Sequence, residues 1–545
     1  MKRLALTAVD MWRSYLFVNL QVVVSIALIL GILESVHAAE CSSGDVTCLI
    51  AKINGANAIP GEHVIILDPG IYTLQIALPV ITGSIRIQAS SDDPPTVIER
   101  DPGAPGFRIF TVSAGGELTL EGLTVQRGGF GFAPAILNDG KTTLQDTIIT
   151  DNNGEGGAIR NTGTLNVFRS IITDNSGGHD AGGIFNQAGG IVLVENSTIA
   201  HNTAVGSGGI GNFGGSLVVK NSAIIFNRTV QCCEPGGGIG NAGGSVEIVN
   251  STIAKNTAGG GLGFGGGGLW NGGGGQVSIT SSTIRENQVS FANAFSLGGG
   301  IENEGGTVRI QNTIIAGNTI PGENTPITAT ADCFGTITSV GNNLVGDPSG
   351  CDINLQPSDL MGDPGLGSLV GTGEDDLPGR AYYPVLTGSP LIDKGNPNAC
   401  LQTDQLGNLR VGICDIGAVE FRGPVLVSVD VRPKRDANRI NPNSSKDINV
   451  AVFSVNGFDA TTVNANTVRF GATGTEAAPV RVGLRDVDGD GDLDMVLGFA
   501  IPETGITCGD TSASLTGVTS QGLSIIGSSP IKTVQCGKQK GHAVE

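Results

Sequence analysis

Between residues 142 and 318 the hydrophobic and polar positions fall into one eleven-residue pattern that returns seven times. VLVENSTIAHN (192–202), VEIVNSTIAKN (246–256) and VSITSSTIREN (277–287) are three of the copies. The third position is always aliphatic (Leu144, Val167, Val194, Val219, Ile248, Ile279, Ile310), the sixth always Ser or Thr, the eighth always Ile and the last always Asn. Positions one and three flank a variable, often polar residue, which is the alternation of a short strand with one buried face. No apolar stripe of helical period runs through the copies. The closing Asn residues, Asn152, Asn175, Asn202, Asn227, Asn256, Asn287 and Asn318, lie 23, 27, 25, 29, 31 and 31 residues apart. Such a period marks a stacked solenoid.

A second phrase, close to Gly-Gly-x-Ile/Leu-x-Asn, falls between successive copies and ends at Asn161, Asn186, Asn212, Asn241, Asn271 and Asn303. Each repeat therefore holds at least two short strands joined by Gly-rich corners, where glycine permits positive φ or close backbone approach. An Asn recurring once per coil can stack its amide on those above and below, donating and accepting along the axis. These features predict an all-β chain built on a parallel β-helix. Seven or eight coils at roughly 4.8 Å each make a rod on the order of 40 Å before its ends are counted. The leucine-rich pattern is absent. The calcium-binding nonapeptide roll is excluded because GGGIGN and GGGLWN lack its Asp.

Composition agrees with this. Of 545 residues 86 are Gly and only 4% are aromatic, which suits a repetitive β architecture better than a compact aromatic core. A formal net charge of -19 argues against nucleic acid or anionic membrane as partner. Residues 1–38 have the form of a secretory signal peptide: Lys2, Arg3 and Arg13 precede the apolar run 22–33, and Val36-His37-Ala38 offers a small-residue cleavage site. The run is short for a membrane span, so the mature chain is expected to be secreted or displayed at the cell surface with no span remaining.

All ten cysteines follow that site. An even count in an exported chain predicts disulfides, and proximity in sequence pairs Cys41 with Cys48, Cys333 with Cys351, Cys400 with Cys414 and Cys508 with Cys536. Cys232 and Cys233 are left without an assignable partner.

Residues 39–103 are expected to form an N-terminal cap and the first irregular coils, with strands near 63–67 and 84–87, because a solenoid must cover its open apolar end. ELTLEGLTVQRGG (117–129) is an incomplete copy in which Gly128 stands where the ladder Asn belongs. Regular coils occupy 104–330, and terminal coils with a Pro-rich, Cys-stapled closing segment occupy 331–422. In that segment SPLIDKGN (389–396), DQLG (404–407) and DIGAVE (415–420) resemble the closing motif of the choice-of-anchor Q family of secreted bacterial proteins. The repeats are also similar to those of polymorphic outer-membrane proteins. The resemblance covers roughly residues 41–421 and implies a right-handed β-helix, export and surface display, but no reaction. The sequence departs from the family at Leu406 and Val411, where Arg and Pro are usual.

Residues 423–545 read as a separate unit, whose alternating strands and turn signals predict a small β-sandwich. Between two strands lies DVDGDGDLD (486–494), where Asp486, Asp488, Asp490, Asp492 and Asp494 gather around a Gly-permitted bend. Oxygen ligands so spaced suit Ca²⁺, here in a structural role. The loop resembles the D-x-D-x-D-G-x-x-D calcium loop of integrin-type β-hairpins. It is not an EF-hand, because Leu497 takes the place of the bidentate Glu.

Enzymatic chemistry on a coil face would need facing carboxylates for a glycoside hydrolase, or a base with neutralising cations for a polysaccharide lyase. In the outward row before the ladder Asn only Asp151 and Asp174, on neighbouring coils, form a carboxylate pair, and they read as solvated strand ends rather than as an acid/base pair. In the row before the second Asn, Phe185 and Trp270, with Phe213 and Phe264 nearby, are candidates for stacking on sugar rings or for covering a corner. The sequence therefore predicts an exported, non-catalytic β-helix protein that adheres to polysaccharide or another cell-surface component. A carbohydrate-active enzyme acting on one face is the alternative.

Overall fold

The computed structural model describes residues 38–129, 131–230, 236–259, 265–290, 298–320, 332–373, 377–434, 437–455, 458–520 and 524–536. The signal-like segment up to residue 37, Cys232, Cys233 and Phe264 lie outside them. A parallel β-helix occupies residues 40–345, and smaller sheets follow.

Three faces run along the β-helix. The first carries the strands of the eleven-residue pattern, from Lys141–Gln145 to Thr307–Gln311. They are preceded in the same parallel register by Glu62–Leu67, Ser84–Ala89 and Glu117–Glu121. The second face has twelve strands, from Gly70–Leu74 to Leu360–Met361. The third carries short strands of the Gly-Gly phrase, such as Ile159–Asn161 and Ile239–Ala242. Twelve rungs span on the order of 50 Å, longer than the repeats alone implied. Rungs before the first copy and after the last share the register without sharing the sequence pattern.

Register explains the invariant positions. Val194, Val219, Ile248, Ile279 and Ile310 are successive Cα partners, and all are fully buried. Each such side chain contributes roughly 1.5–3 kcal/mol through burial. A one-residue slip would turn the whole set outward.

Polar rows are threaded through this core. From Asn152 to Asn318 each Nδ2 donates to the Oδ1 of the next coil at 2.9–3.0 Å. The row ends on Asp332, whose Oδ1 accepts from the Asn318 backbone N–H and Nδ2 at 2.8 and 2.9 Å. A carboxylate accepts without donating, so it terminates a chain of donors. Burial raises its pKa. At the other end the Gly128 N–H donates to Asn152 Oδ1, and a Cβ on Gly128 would lie 2.2 Å from the Pro134 carbonyl oxygen. The incomplete copy thus has no room for an Asn. A second ladder runs from Asn138 through Asn161, Asn186, Asn212, Asn241 and Asn271 to Asn303 at 2.6–2.9 Å. The Ser/Thr of the sixth position forms a third row, in which Ser170, Ser197 and Ser222 each accept the N–H of the hydroxyl residue one coil before.

The N-terminal end of the β-helix is covered by a helix. Val46–Asn57 is an α-helix whose N-cap Asp45 accepts the Cys48 N–H at 2.9 Å. Leu49, Ile53 and Ala56 are buried over the open end of the core. That stripe is only three residues long, too short to stand out beside seven repeats. All four predicted disulfides are present, and Cys41–Cys48 ties the helix to the strand Ala38–Cys41.

Terminal coils continue to Leu360–Met361, and beyond them the chain turns back as a strap along the outside of the second face. The Gly379 N–H donates to Thr198 Oγ1 at 2.8 Å, the Thr252 hydroxyl to Gln405 Oε1 at 2.6 Å, and the Gly417 N–H to the Asn312 carbonyl at 2.8 Å. Small or apolar outward residues, Ala200, Ala223, Ala254, Ile314 and Ala316, are buried beneath it.

The C-terminal unit is a β-sandwich. Val425–Leu426, Arg469–Gly471, Ser512–Val518 and Ser524–Pro530 form one sheet; Val429–Val431, Asp447–Val452, Arg481–Arg485 and Asp494–Ala500 form the other. One apolar core, including Phe470, Leu497, Phe499 and Leu515, lies between them.

Candidate functional site

The acidic loop is the connection between the antiparallel strands Arg481–Arg485 and Asp494–Ala500. Asp494 is buried and anchors it, accepting the Ser454 N–H at 3.0 Å and the Val487 N–H at 2.8 Å. Carboxylate oxygens of Asp486, Asp488 and Asp494 lie within 4.8 Å of one another, in reach of one cation. Asp490 and Asp492 stand outside that trio. The Asp490 carboxylate accepts the Asp492 N–H at 3.1 Å, which heads the causes lowering its pKa. Asp492 is pushed up to about 6, first by desolvation and then by its hydrogen bond to and repulsion from Asp490. The donor set is all oxygen, and its mutual repulsion is what a hard divalent cation would relieve, so these residues fit Ca²⁺.

The coil candidates are corner residues. The tenth position of each copy has left-handed backbone, with φ of 52° at Asp151, 53° at Asp174 and 53° at His201, and the fifth does likewise at Asp146, Asn196 and Asn250. These one-residue corners turn the chain between faces, and their side chains point outward because the next residue points in. Asp151 and Asp174 follow the paired residues Thr150 and Thr173 on adjacent coils. Yet they line different cavities. Asp151 borders a groove of about 790 Å³ with Arg100, Arg127 and Glu155, whereas Asp174 borders one of about 500 Å³ between the second face and the strap. Both arginines of the groove are engaged by the protein: Arg100 Nε donates to the Arg127 carbonyl at 2.9 Å, and Arg127 pairs with Glu99 at 2.9 Å.

Phe185 is 4% exposed and packs edge-on against Phe213 with centroids 5.3 Å apart, so it presents no face to a sugar. Trp270 lies back over Gly272, where a Cβ would meet the indole ring at 2.3 Å. The aromatic residues thus cover corners.

The network that sequence reasoning missed is in the strap. Arg410 reaches Glu420 at 3.0 Å, the Gly417 carbonyl at 2.8 Å and Asn250 Oδ1 on the β-helix at 3.1 Å. Asp404 Oδ1 accepts the Leu406 and Asn408 N–H groups at 3.0 and 2.8 Å, and Asp415 Oδ1 accepts the Asp393 N–H at 2.8 Å. Burial pushes the Asp415 carboxyl up to about 6. Its only signal in sequence is one Arg between DQLG and DIGAVE.

Neither the family models nor the curated proteins compared with this chain give a match.

Proposed function

We propose that this chain is an exported, non-catalytic surface or extracellular protein that adheres to glycan, with Ca²⁺ holding the loop of its C-terminal sandwich. The observation that carries the reading is the use made of Asp151 and Asp174. They are left-handed corner residues that line separate cavities, and this supports the non-catalytic reading. The four disulfides support export, since such bonds persist in oxidising compartments. Asn ladders and a side strap give a stiff rod whose outward rows vary freely, which suits display. The strap is built from the motif that resembles the choice-of-anchor Q family, and that resemblance supports surface display.

The second reading, a polysaccharide lyase or glycoside hydrolase, draws on the groove beside Asp151, where Arg100 and Arg127 stand near Glu155. Retention on polysaccharide without new chain ends separates adhesion from cleavage.

A further inference from the structure

One cavity of the C-terminal sandwich is lined by charge of the sign opposite to that of the chain. Arg432 follows the strand Val429–Val431, Lys446 precedes Asp447–Val452, and Arg439 and Arg481 open Arg439–Ile440 and Arg481–Arg485. All four line one open cavity of about 500 Å³. Asp447 is the single carboxylate lining it, and it pairs with Arg481 at 2.9 Å. Four cations against one carboxylate leave a local excess of three positive charges in a chain of formal net charge -19.

The four side chains are exposed, so the apolar core does not require them to gather there. Arg432 is held by a 2.8 Å hydrogen bond from Nη1 to the Arg439 carbonyl. Arg439 and Lys446 form no ion pair among the described residues. Lys532, the register partner of Arg439, adds a further cation on the adjoining strand. Cations converging on a concave site concentrate field lines there and raise the local concentration of an anionic ligand. A guanidinium takes an anionic oxygen pair in a fork, and an ammonium takes one as a point charge. Ser444 and Asn449 also line the cavity and supply neutral partners for hydroxyl groups.

We infer that this cavity binds the anionic oxygen groups, carboxylate or sulfate, of an acidic polysaccharide. The inference rests on the glycan-adhesion reading and gives it a site on the sandwich in place of the coil aromatics. Nucleic acid is disfavoured because no aromatic side chain lines the cavity to stack on a base.

The test measures binding of labelled oligogalacturonate, sulfated dextran, neutral dextran and a single-stranded oligonucleotide to the mature chain, residues 39–545, over a salt series. Binding of a carboxylated or sulfated oligosaccharide is expected. In the Arg439→Ala/Lys446→Ala double variant it should weaken at least tenfold, and the log–log salt slope should fall by about two with unchanged melting temperature. The two acidic ligands tell carboxylate from sulfate. Undiminished binding by the double variant, or binding of neutral dextran alone, overturns the site and leaves the glycan reading standing. Oligonucleotide binding as tight as that of either acidic glycan also overturns the site as stated. No oligosaccharide binding at all removes both.

Discussion

Arg410 and Glu420 pair at 3.0 Å with side chains only 3% and 5% exposed, the most deeply buried ion pair among the described residues. Its removal should free the strap before the β-helix unfolds. Arg410→Ala leaves Glu420 buried without its counter-charge, a loss of about 3–5 kcal/mol. We expect hydrogen exchange to accelerate across residues 377–421 while strand amides from 192 to 311 stay protected. Equal protection of the strap in both proteins would contradict this.

Asp415 makes strap stability depend on pH. Its folded pKa of about 6 lies above the unfolded value of about 3.9. The folded state therefore binds the proton more tightly, and stability is full below about pH 4 and lost as pH rises through about 6. With allowance for partial solvent access the effect is on the order of 1–2 kcal/mol. Strap protection measured from pH 7 to pH 4.5 should rise in the wild type relative to Asp415→Asn. Parallel profiles would show that burial of this carboxyl carries no cost.

The β-helix was legible because its physics repeats. A buried row read once at Val194 is read again at Val219 and Ile248, and each copy fixes the register of its neighbour. The Ser/Thr row and the Asn ladders were visible as invariants, although Asn138 escaped because its coil reads PAILN without the Gly-Gly phrase. What occurs once was harder to read. The cap helix is a single short stripe, and the strap's contacts join residues more than a hundred positions apart, such as Asn250 with Arg410. Sequence placed Phe185 in an outward row, but its ring turns into a corner against Phe213. The cationic cavity draws on four separate stretches and left no local pattern.

Interior amides should prove costlier to lose than corner side chains. Asn227 Oδ1 accepts from the Asn202 N–H and Nδ2 at 3.1 and 3.0 Å, so Asn227→Ala strands buried donors at about 1–3 kcal/mol each. His201→Ala removes an exposed ring stacked on Phe226 at 4.9 Å but leaves the ladder intact, so it should cost less than Asn227→Ala. Denaturant melts of both variants check this, and equal costs would refute the ladder's role.

Calcium should stabilise the sandwich through Asp486, Asp488 and Asp494. At a hundredfold excess over its dissociation constant a cation bound only by the folded state adds about 2.7 kcal/mol. Melting of residues 39–545 with Ca²⁺ and with chelator should differ in the wild type and coincide in Asp488→Ala. The same melting curve in both conditions for the wild type would exclude the site.

The central claim is adhesion without cleavage. Its most direct test incubates residues 39–545 with neutral and uronate polysaccharides, with and without Ca²⁺, and follows both retention and new chain ends. Retention with no new chain ends is the predicted result. New chain ends that disappear in Asp151→Asn or Asp174→Asn would contradict it and make this protein an enzyme.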